Sequence, residues 1–250
     1  MSMVVFSKIM GEISGEKRTV RLNAMGEPLL NPVFPQMLRE AKRIGHTVHV
    51  TTNATLLSET LSRELLEIGI DWIGFSLDGL GEAYDRCRPG ASWEKTLEHV
   101  LKFAELARES RNPPKMSVEV ILSDMTEPHL ADILGFWKPK GIPVGIIPLD
   151  DYCGQVKLPS HLGRCRTKDR PCPGDRPPCR LLYSVIHIGA DGRVILCCHD
   201  YARISNLPSV MEKPLHLIWD QDVSRFRENH EKRLFSTFPC SRCIAWRGMQ

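Results

Sequence analysis

The sequence predicts an α/β chain: a parallel sheet wound with helices over residues 1–150, followed by a small cysteine-rich domain. Three observations carry this reading. Amphipathic helical stretches that stop at a glycine or turn alternate with short β-branched runs through the first part of the chain. The composition then changes over 151–178, where Cys153, Cys165 and Cys172 lie among prolines and a basic excess from Arg164, Arg166, Lys168, Arg170 and Arg176. Beyond this segment, Ala190-Asp191-Gly192 is a hairpin signal set among four cysteines.

The elements follow in order. Phe6, Ile9, Met10 and Ile13 have helical spacing, and Thr19 to Ala24 reads as a strand. Asn31 and Pro32 open a helix that stops at Gly45, and His46 to Thr52 is the next strand. Ser58 starts a helix through Leu61, Leu65 and Ile68 to Gly69, leading into the strand Asp71 to Leu77. A helix from Ser92 through Leu97, Val100, Leu101 and Ala104 precedes the strand Met116 to Leu122. The last helix, Leu130 to Trp137, ends at Gly141 and delivers the strand Ile142 to Pro148. Strands joined by helical crossovers are parallel, so these five form an open sheet or a barrel segment, with the Thr19 strand at an edge. In the last part of the chain, Leu181 to Ile188 and Arg193 to Cys198 are expected as hairpin strands, with Cys197 and Cys198 on opposite faces. Leu215, Ile218, Trp219 and Phe226 give a helix with one apolar face, its Trp and Phe in the core.

At 250 residues and 42% apolar composition, the chain is long enough to bury a core. A net charge of +3 falls short of a nucleic-acid footprint, and the basic residues of 151–178 have no aromatics between them, so a solvated loop is expected there. No secretory leader or membrane span is legible, which predicts a cytoplasmic protein. In that compartment the nine cysteines stay reduced and are expected to bind metal rather than form disulfides.

Cys179, Gly192 and Cys197, with the pair Cys240 and Cys243, make a C-x12-G-x4-C set closed by CxxC. Four thiolates can ligate a four-iron cluster completely, with no iron left open; zinc is the competing occupant, although a zinc ribbon has two CxxC knuckles and this set has one. Cys87, Cys153 and Cys198 read as buried or loop thiols. His187 and His199, which flank the hairpin, read as hydrogen-bonded structural histidines.

Three further motifs sit at the C-terminal ends of successive predicted strands, the edge where parallel sheets collect ligands. They are Gly26-Glu27-Pro28, Thr51-Thr52-Asn53-Ala54-Thr55-Leu56 and Ser76-Leu77-Asp78-Gly79. Together with the cysteine set they resemble the GGE, TNGTLL and SLDG motifs of the radical S-adenosylmethionine superfamily, in members with a C-terminal SPASM or shortened twitch domain. Met25 stands where the first glycine of GGE usually lies. The resemblance implies a partial (β/α)6 TIM-like barrel that lacks its first strand, followed by a SPASM/twitch domain over 179–250. It implies S-adenosylmethionine contacts from Gly26, Glu27, Pro28, Thr52, Asn53, Ser76 and Asp78, and one auxiliary 4Fe-4S cluster on Cys179, Cys197, Cys240 and Cys243. It also implies a peptide or small-molecule substrate modified by hydrogen-atom abstraction, and a reductant such as flavodoxin or ferredoxin; no nucleic-acid or membrane partner is expected.

One departure stands beside these matches: the sequence contains no CxxxCxxC, the loop whose three thiolates leave an iron open for S-adenosylmethionine. The expectation is therefore an N-terminally truncated member that does not generate the radical by itself. The alternative is a non-catalytic peptide- or nucleotide-binding module with structural zinc or iron-sulfur.

Overall fold

The structure, a computed structural model, describes residues 1–23, 25–163 and 176–243. Cys165 and Cys172, the basic residues at 164–170 and the expected strand end at Ala24 lie outside this set. The chain forms two compact units: residues 14–149 with 160–163, and residues 1–13 with 150–159 and 164–250.

The first unit is built on five parallel strands in sequence order: β1 (Thr19–Arg21), β2 (Thr47–Thr52), β3 (Trp72–Ser76), β4 (Lys115–Leu122) and β5 (Val144–Pro148). Because every crossover returns the chain to the same edge, the C-terminal ends of β1, β2 and β3 lie side by side. The register aligns Arg21 with His49, His49 with Trp72, and Ser76 with Glu119. Side chains alternate along each strand, so Val48, Val50, Ile73, Phe75, Val118 and Val120 share one face, where all are fully buried. The opposite face carries His49, Thr51, Trp72, Ser76 and Glu119. Gly74 makes room between them, since a Cβ there would meet the Trp72 ring at 2.5 Å and Glu119 Oε1 at 3.0 Å.

The crossover helices are α2 (Phe34–Ile44), α3 (Glu59–Ile68), α5 (Trp93–Glu109) and α6 (Leu130–Trp137). In α2, Phe34, Met37, Leu38 and Ala41 form a buried i, i+3, i+4, i+7 stripe, each large apolar side chain contributing about 1.5–3 kcal/mol. Gly45 and Gly69 cap α2 and α3 in the left-handed conformation that ends a helix. A short helix that the periodicity did not signal, α4 (Glu82–Cys87), follows Gly79. α2 starts at Phe34, later than Asn31, because Pro28–Leu30 form a separate 3-10 turn. The edge position expected for the first strand is observed, and the strand is only three residues long.

The second unit contains α1 (Met3–Glu12), a helical turn α7 (Leu181–Ser184), the antiparallel pair β6 (His187–Ile188) and β7 (Val194–Ile195), and the helices α8 (Leu215–Leu217) and α9 (Ser224–Glu231). α1 groups here rather than with the sheet: the Leu215 N–H donates to the Glu12 carboxylate, and Val5 lies 3.1 Å from the Cβ that Gly192 lacks. Leu181–Ser184, expected as strand, is helical and ends in the extended Val185, leaving a two-residue strand. The helix expected from Leu215 to Phe226 is divided by a π turn at Ile218–Asp222. That turn rotates the apolar face, so Phe226 is buried while Trp219 is half-exposed with the Arg227 guanidinium 3.9 Å over its ring. No helix among the described residues is long and apolar enough to cross a membrane.

Candidate functional site

Two clusters of expected site residues take shape, one in each unit. At the sheet edge, Gly26 has a φ of +108°, a conformation natural to glycine, and turns the chain out of β1. The Glu27 carboxylate that follows is a junction. It accepts from Leu29 N at 3.0 Å, from Thr52 Oγ1 at 2.6 Å and from Asn53 N at 2.7 Å, which ties the first motif to the second. Pro28 opens the 3-10 turn that Glu27 caps. Thr52 Oγ1 accepts in turn from Ala54 N at 3.0 Å, and Asn53 Oδ1 takes the Thr55 N–H and hydroxyl. Ala54, where the family motif has glycine, sits at a φ of +61° and is fully buried.

Ser76 ends β3 on the face opposite the helices, two residues before Asp78. The Asp78 carboxylate is turned inward: Oδ1 accepts from Ile121 N at 2.7 Å, and Oδ2 from Arg88 Nη2 at 2.7 Å and Nε at 3.1 Å. Gly79, at φ +133°, is needed here, because a Cβ would lie 2.8 Å from Tyr84 N. These bonds hold the loops after β1, β2 and β3 in fixed shape. They leave Gly26, Asn53 and Ser76 together at the strand ends.

Half-buried Glu119, on the same face, was not singled out from sequence. Burial raises its pKa, against a hydrogen bond from Thr51 and the charge of Arg21. The register that pairs Ser76 with Glu119 reveals it; a polar residue in a β-branched run does not.

In the second unit, Cys179, Cys197, Cys240 and Cys243 are all buried, and none is in a disulfide. Cys179 interacts electrostatically with Cys240 and Cys243, and Cys197 with the same two, so the hairpin, α7 and the CxxC segment bring the set together. Burial above all, with repulsion among the cysteines, pushes the thiols of Cys179, Cys197 and Cys240 up, Cys240 to about 12. A metal centre coordinating such thiols would draw off their protons and bind them as thiolates. Among the described residues no three His, Cys, Asp or Glu side chains are gathered tightly enough for a single ion. Four soft sulfur donors suit a cluster with one iron per thiolate.

Three residues around these thiols escaped the sequence reading. Arg176, expected in a solvated loop, is fully buried, donates Nη1 to the Cys240 carbonyl at 2.7 Å and stacks 4.4 Å over the Phe235 ring. Its charge opposes the upward push on Cys179 and Cys240. His230 Nδ1 accepts from Cys179 N at 3.1 Å; burial, then the Arg176 charge, bring its pKa down to about 4. Cys153 is buried and hydrogen-bonded through its side chain to Cys243. No spacing rule points to any of them, because each arrives from a distant segment.

The strand expected over residues 193–198 is only Val194–Ile195, so Cys197, which is buried, and Cys198, which is exposed, lie in the turn beyond it, where face alternation does not apply. His199 forms an ion pair with Asp150 at 2.6 Å. Although Cys198 is exposed as a residue, the atoms crowded around its sulfur oppose ionisation, and hydrogen bonds from His187 and His199 overcome this and bring its thiol down to about 6. Burial likewise lowers His199, but Asp150 and Cys198 together raise it to about 11. Cys87 lies half-buried beside the other unit's Asp78–Arg88 pair, and burial first, then Asp78, raise its pKa.

Comparison with known proteins matches both parts of the chain to known families. The sequence profile of the radical SAM superfamily matches residues 9–136, just over half of the chain, and that of an iron-sulfur cluster-binding domain, SPASM, matches 179–244. The chain is 27% identical over 154 residues to a tungsten-containing aldehyde ferredoxin oxidoreductase cofactor-modifying protein of Pyrococcus furiosus, covering 59% of this chain and 42% of that protein. It is 30% identical over 98 residues to an S-adenosylmethionine-dependent nucleotide dehydratase of a Thermoplasmatales archaeon, covering 39% of this chain and 35% of that one. The matched stretches thus span less than half the length of these relatives. The fold is similar to that of anSMEcpe with bound AdoMet, with a TM-score of 0.68 at 15% identity over 99% of this chain and 75% of the other. It is also similar to Streptococcus suis SuiB bound to precursor peptide SuiA, with a TM-score of 0.69 at 13% identity over 91% and 60%. The chain belongs to the radical SAM superfamily and carries a SPASM-type iron-sulfur cluster-binding domain in its C-terminal part.

Proposed function

We propose that this chain binds S-adenosylmethionine at the C-terminal ends of β1 to β3 and one auxiliary 4Fe-4S cluster on Cys179, Cys197, Cys240 and Cys243, serving the oxidation or modification of a peptide or small molecule. The observation that carries the reading is the convergence of four buried thiols beside the buried Arg176 guanidinium in the unit matched by the SPASM profile. Given an electron from a reducing cluster that these residues do not hold, the cofactor would be the source of a hydrogen-abstracting radical, and the auxiliary cluster would accept the substrate's electron.

The chain's own residues do the positioning. Glu27 locks the Gly26 turn to Asn53, so the backbone at both strand ends is preorganised for the amino and carboxylate groups of a ligand. The Asp78–Arg88 pair fixes the loop that places Ser76 beside them. Arg176 offsets the negative charge that four thiolates gather. A peptide substrate is supported by the fold shared with SuiB, whose structure was determined with its precursor peptide.

The test is anaerobic reconstitution of the 250-residue polypeptide with iron and sulfide. About four irons and four sulfides per chain, with broad visible absorbance, support the reading; a colourless protein that retains zinc overturns it. Because these residues contain no CxxxCxxC, the loaded polypeptide is expected to bind S-adenosylmethionine without cleaving it under reductant. Production of 5′-deoxyadenosine by the purified polypeptide refutes that part of the proposal.

A further inference from the structure

Among the described residues, the cysteine pocket of the second unit holds one thiol more than a four-iron cluster has corners. Cys153 is buried to 8% exposure, as deeply as Cys197, Cys240 and Cys243. Its side chain is hydrogen-bonded to that of Cys243.

The loop that carries Cys153 is built to hold it there. Residues 152 and 153 both adopt positive φ, 53° and 62°, conformations that cost a non-glycine residue free energy and persist only when the surroundings enforce them. The enforcement is visible on both sides. Gln155 donates Nε2 to the His199 carbonyl at 2.6 Å and accepts from Ala202 N at 2.8 Å through Oε1, while Asp150 pairs with His199 at 2.6 Å. These bonds clip the loop to the segment just past Cys197. At the other side the Cβ that Gly154 lacks would stand 3.9 Å from Arg242 Nη1, so the loop also lies against the residue between Cys240 and Cys243. Within the loop, Asp150 and Asp151 take the N–H groups of Tyr152 and Gly154 at 2.7 and 2.9 Å. Two ligand-bearing segments therefore hold the Cys153 sulfur beside Cys243, a ligand on one of them.

Resting on the reading of Cys179, Cys197, Cys240 and Cys243 as cluster ligands, we infer that Cys153 is a second thiol at the corner of the cluster held by Cys243: it donates its S–H to the Cys243 sulfur in the loaded protein and takes over that iron when Cys243 is removed. In the first role the proton stays on Cys153 and the Cys243 thiolate is the acceptor. In the second, Cys153 releases its proton to solvent and forms the iron–sulfur bond. Hydrogen bonds to the ligating sulfurs raise a cluster's reduction potential, so the donor leaves a signature without altering the four ligands.

Four reconstituted proteins test this: wild type, Cys153→Ala, Cys243→Ala and the double variant. Each is examined for iron, sulfide and the electron paramagnetic resonance of its reduced form. Cys153→Ala is expected to hold the full iron content at a more negative potential than wild type; an unmoved potential overturns the hydrogen bond, and this arm is informative even if Cys243→Ala proves insoluble. Cys243→Ala is expected to retain a four-iron cluster and the double variant to lose it. A soluble Cys243→Ala protein with three irons or none overturns the reserve role. A double variant that keeps four irons does so too, because another donor such as Cys198 is then responsible. A wild type without any cluster refutes the underlying assignment instead, which separates that failure from this one.

Discussion

Replacing Asp78 separates a ligand-binding carboxylate from one that holds the site in shape. Its side chain is 12% exposed and that of Arg88 is 24%, and three hydrogen bonds of 2.7–3.1 Å join it to Arg88 and Ile121 N. Breaking a buried pair by removing one partner costs about 3–5 kcal/mol, but Arg88 is exposed enough to turn toward water. Asp78→Ala is therefore expected to cost about 2–3 kcal/mol. Asp78→Asn keeps an acceptor for Ile121 while presenting an amide to the guanidinium, and should cost about 1–2 kcal/mol. In a double-mutant cycle with Arg88→Met the pair should show a coupling of about 1–2 kcal/mol. Urea unfolding followed through the sheet-bearing unit measures the total. Hydrogen exchange at the Ile121 amide reads the local term, expected to be about 30- to 100-fold faster in Asp78→Ala. An Asp78→Ala protein within about 0.5 kcal/mol of wild type, with Ile121 exchange unchanged, would refute the structural role and return the carboxylate to the ligand.

Glu27→Ala removes one acceptor shared by three donors and should destabilise the sheet-bearing unit by about 2–3 kcal/mol, with Asn53 exchange accelerated; an unchanged Asn53 amide contradicts the junction. His230 has a folded pKa lowered to about 4 by burial and then by Arg176, so the fold favours its neutral form: the associated stability is complete above the unfolded pKa and falls as pH drops below it. With an unfolded value of about 6.5, roughly 2 kcal/mol should be lost by about pH 5. His230→Asn, which keeps an acceptor for Cys179 N, should flatten that dependence in denaturant titrations, and an equally steep profile in the variant would exclude His230 as its origin. Cys240→Ala, which lacks a neighbouring reserve thiol hydrogen-bonded as Cys153 is to Cys243, should give insoluble or iron-free protein; a soluble variant with full iron argues against Cys240 as a ligand.

Much of the site was legible because its chemistry is local. Gly26-Glu27, Thr52-Asn53 and Ser76-Asp78 each follow a strand, and a parallel sheet necessarily brings those ends to one edge. The cysteine spacing also survives, since a CxxC pair and a hairpin-borne cysteine are short-range features. What failed locally did so for short-range reasons too: Leu181–Ser184 has the composition of a strand, but only the two residues of β6 pair with β7, and the rest turns as helix to bring the chain from Cys179 to the hairpin. The π turn at Ile218–Asp222 left Trp219 on a side that helical periodicity assigns to the core.

The sequence by itself determined the alternation of helix and strand, the order of the sheet and the residue types at its C-terminal edge, because these follow from periodicity and from the handedness of short crossovers. Tertiary structure alone decided which carboxylates face inward and which thiols meet. The inward turn of Asp78 depends on Ile121, 43 residues on, and Arg176 reaches Cys240 across 64. The place of Cys153 beside Cys243 depends on a loop clipped by Asp150 and Gln155 to residues after Cys197. Hydrogen bonds and desolvation act through space, so no spacing along the chain encodes them.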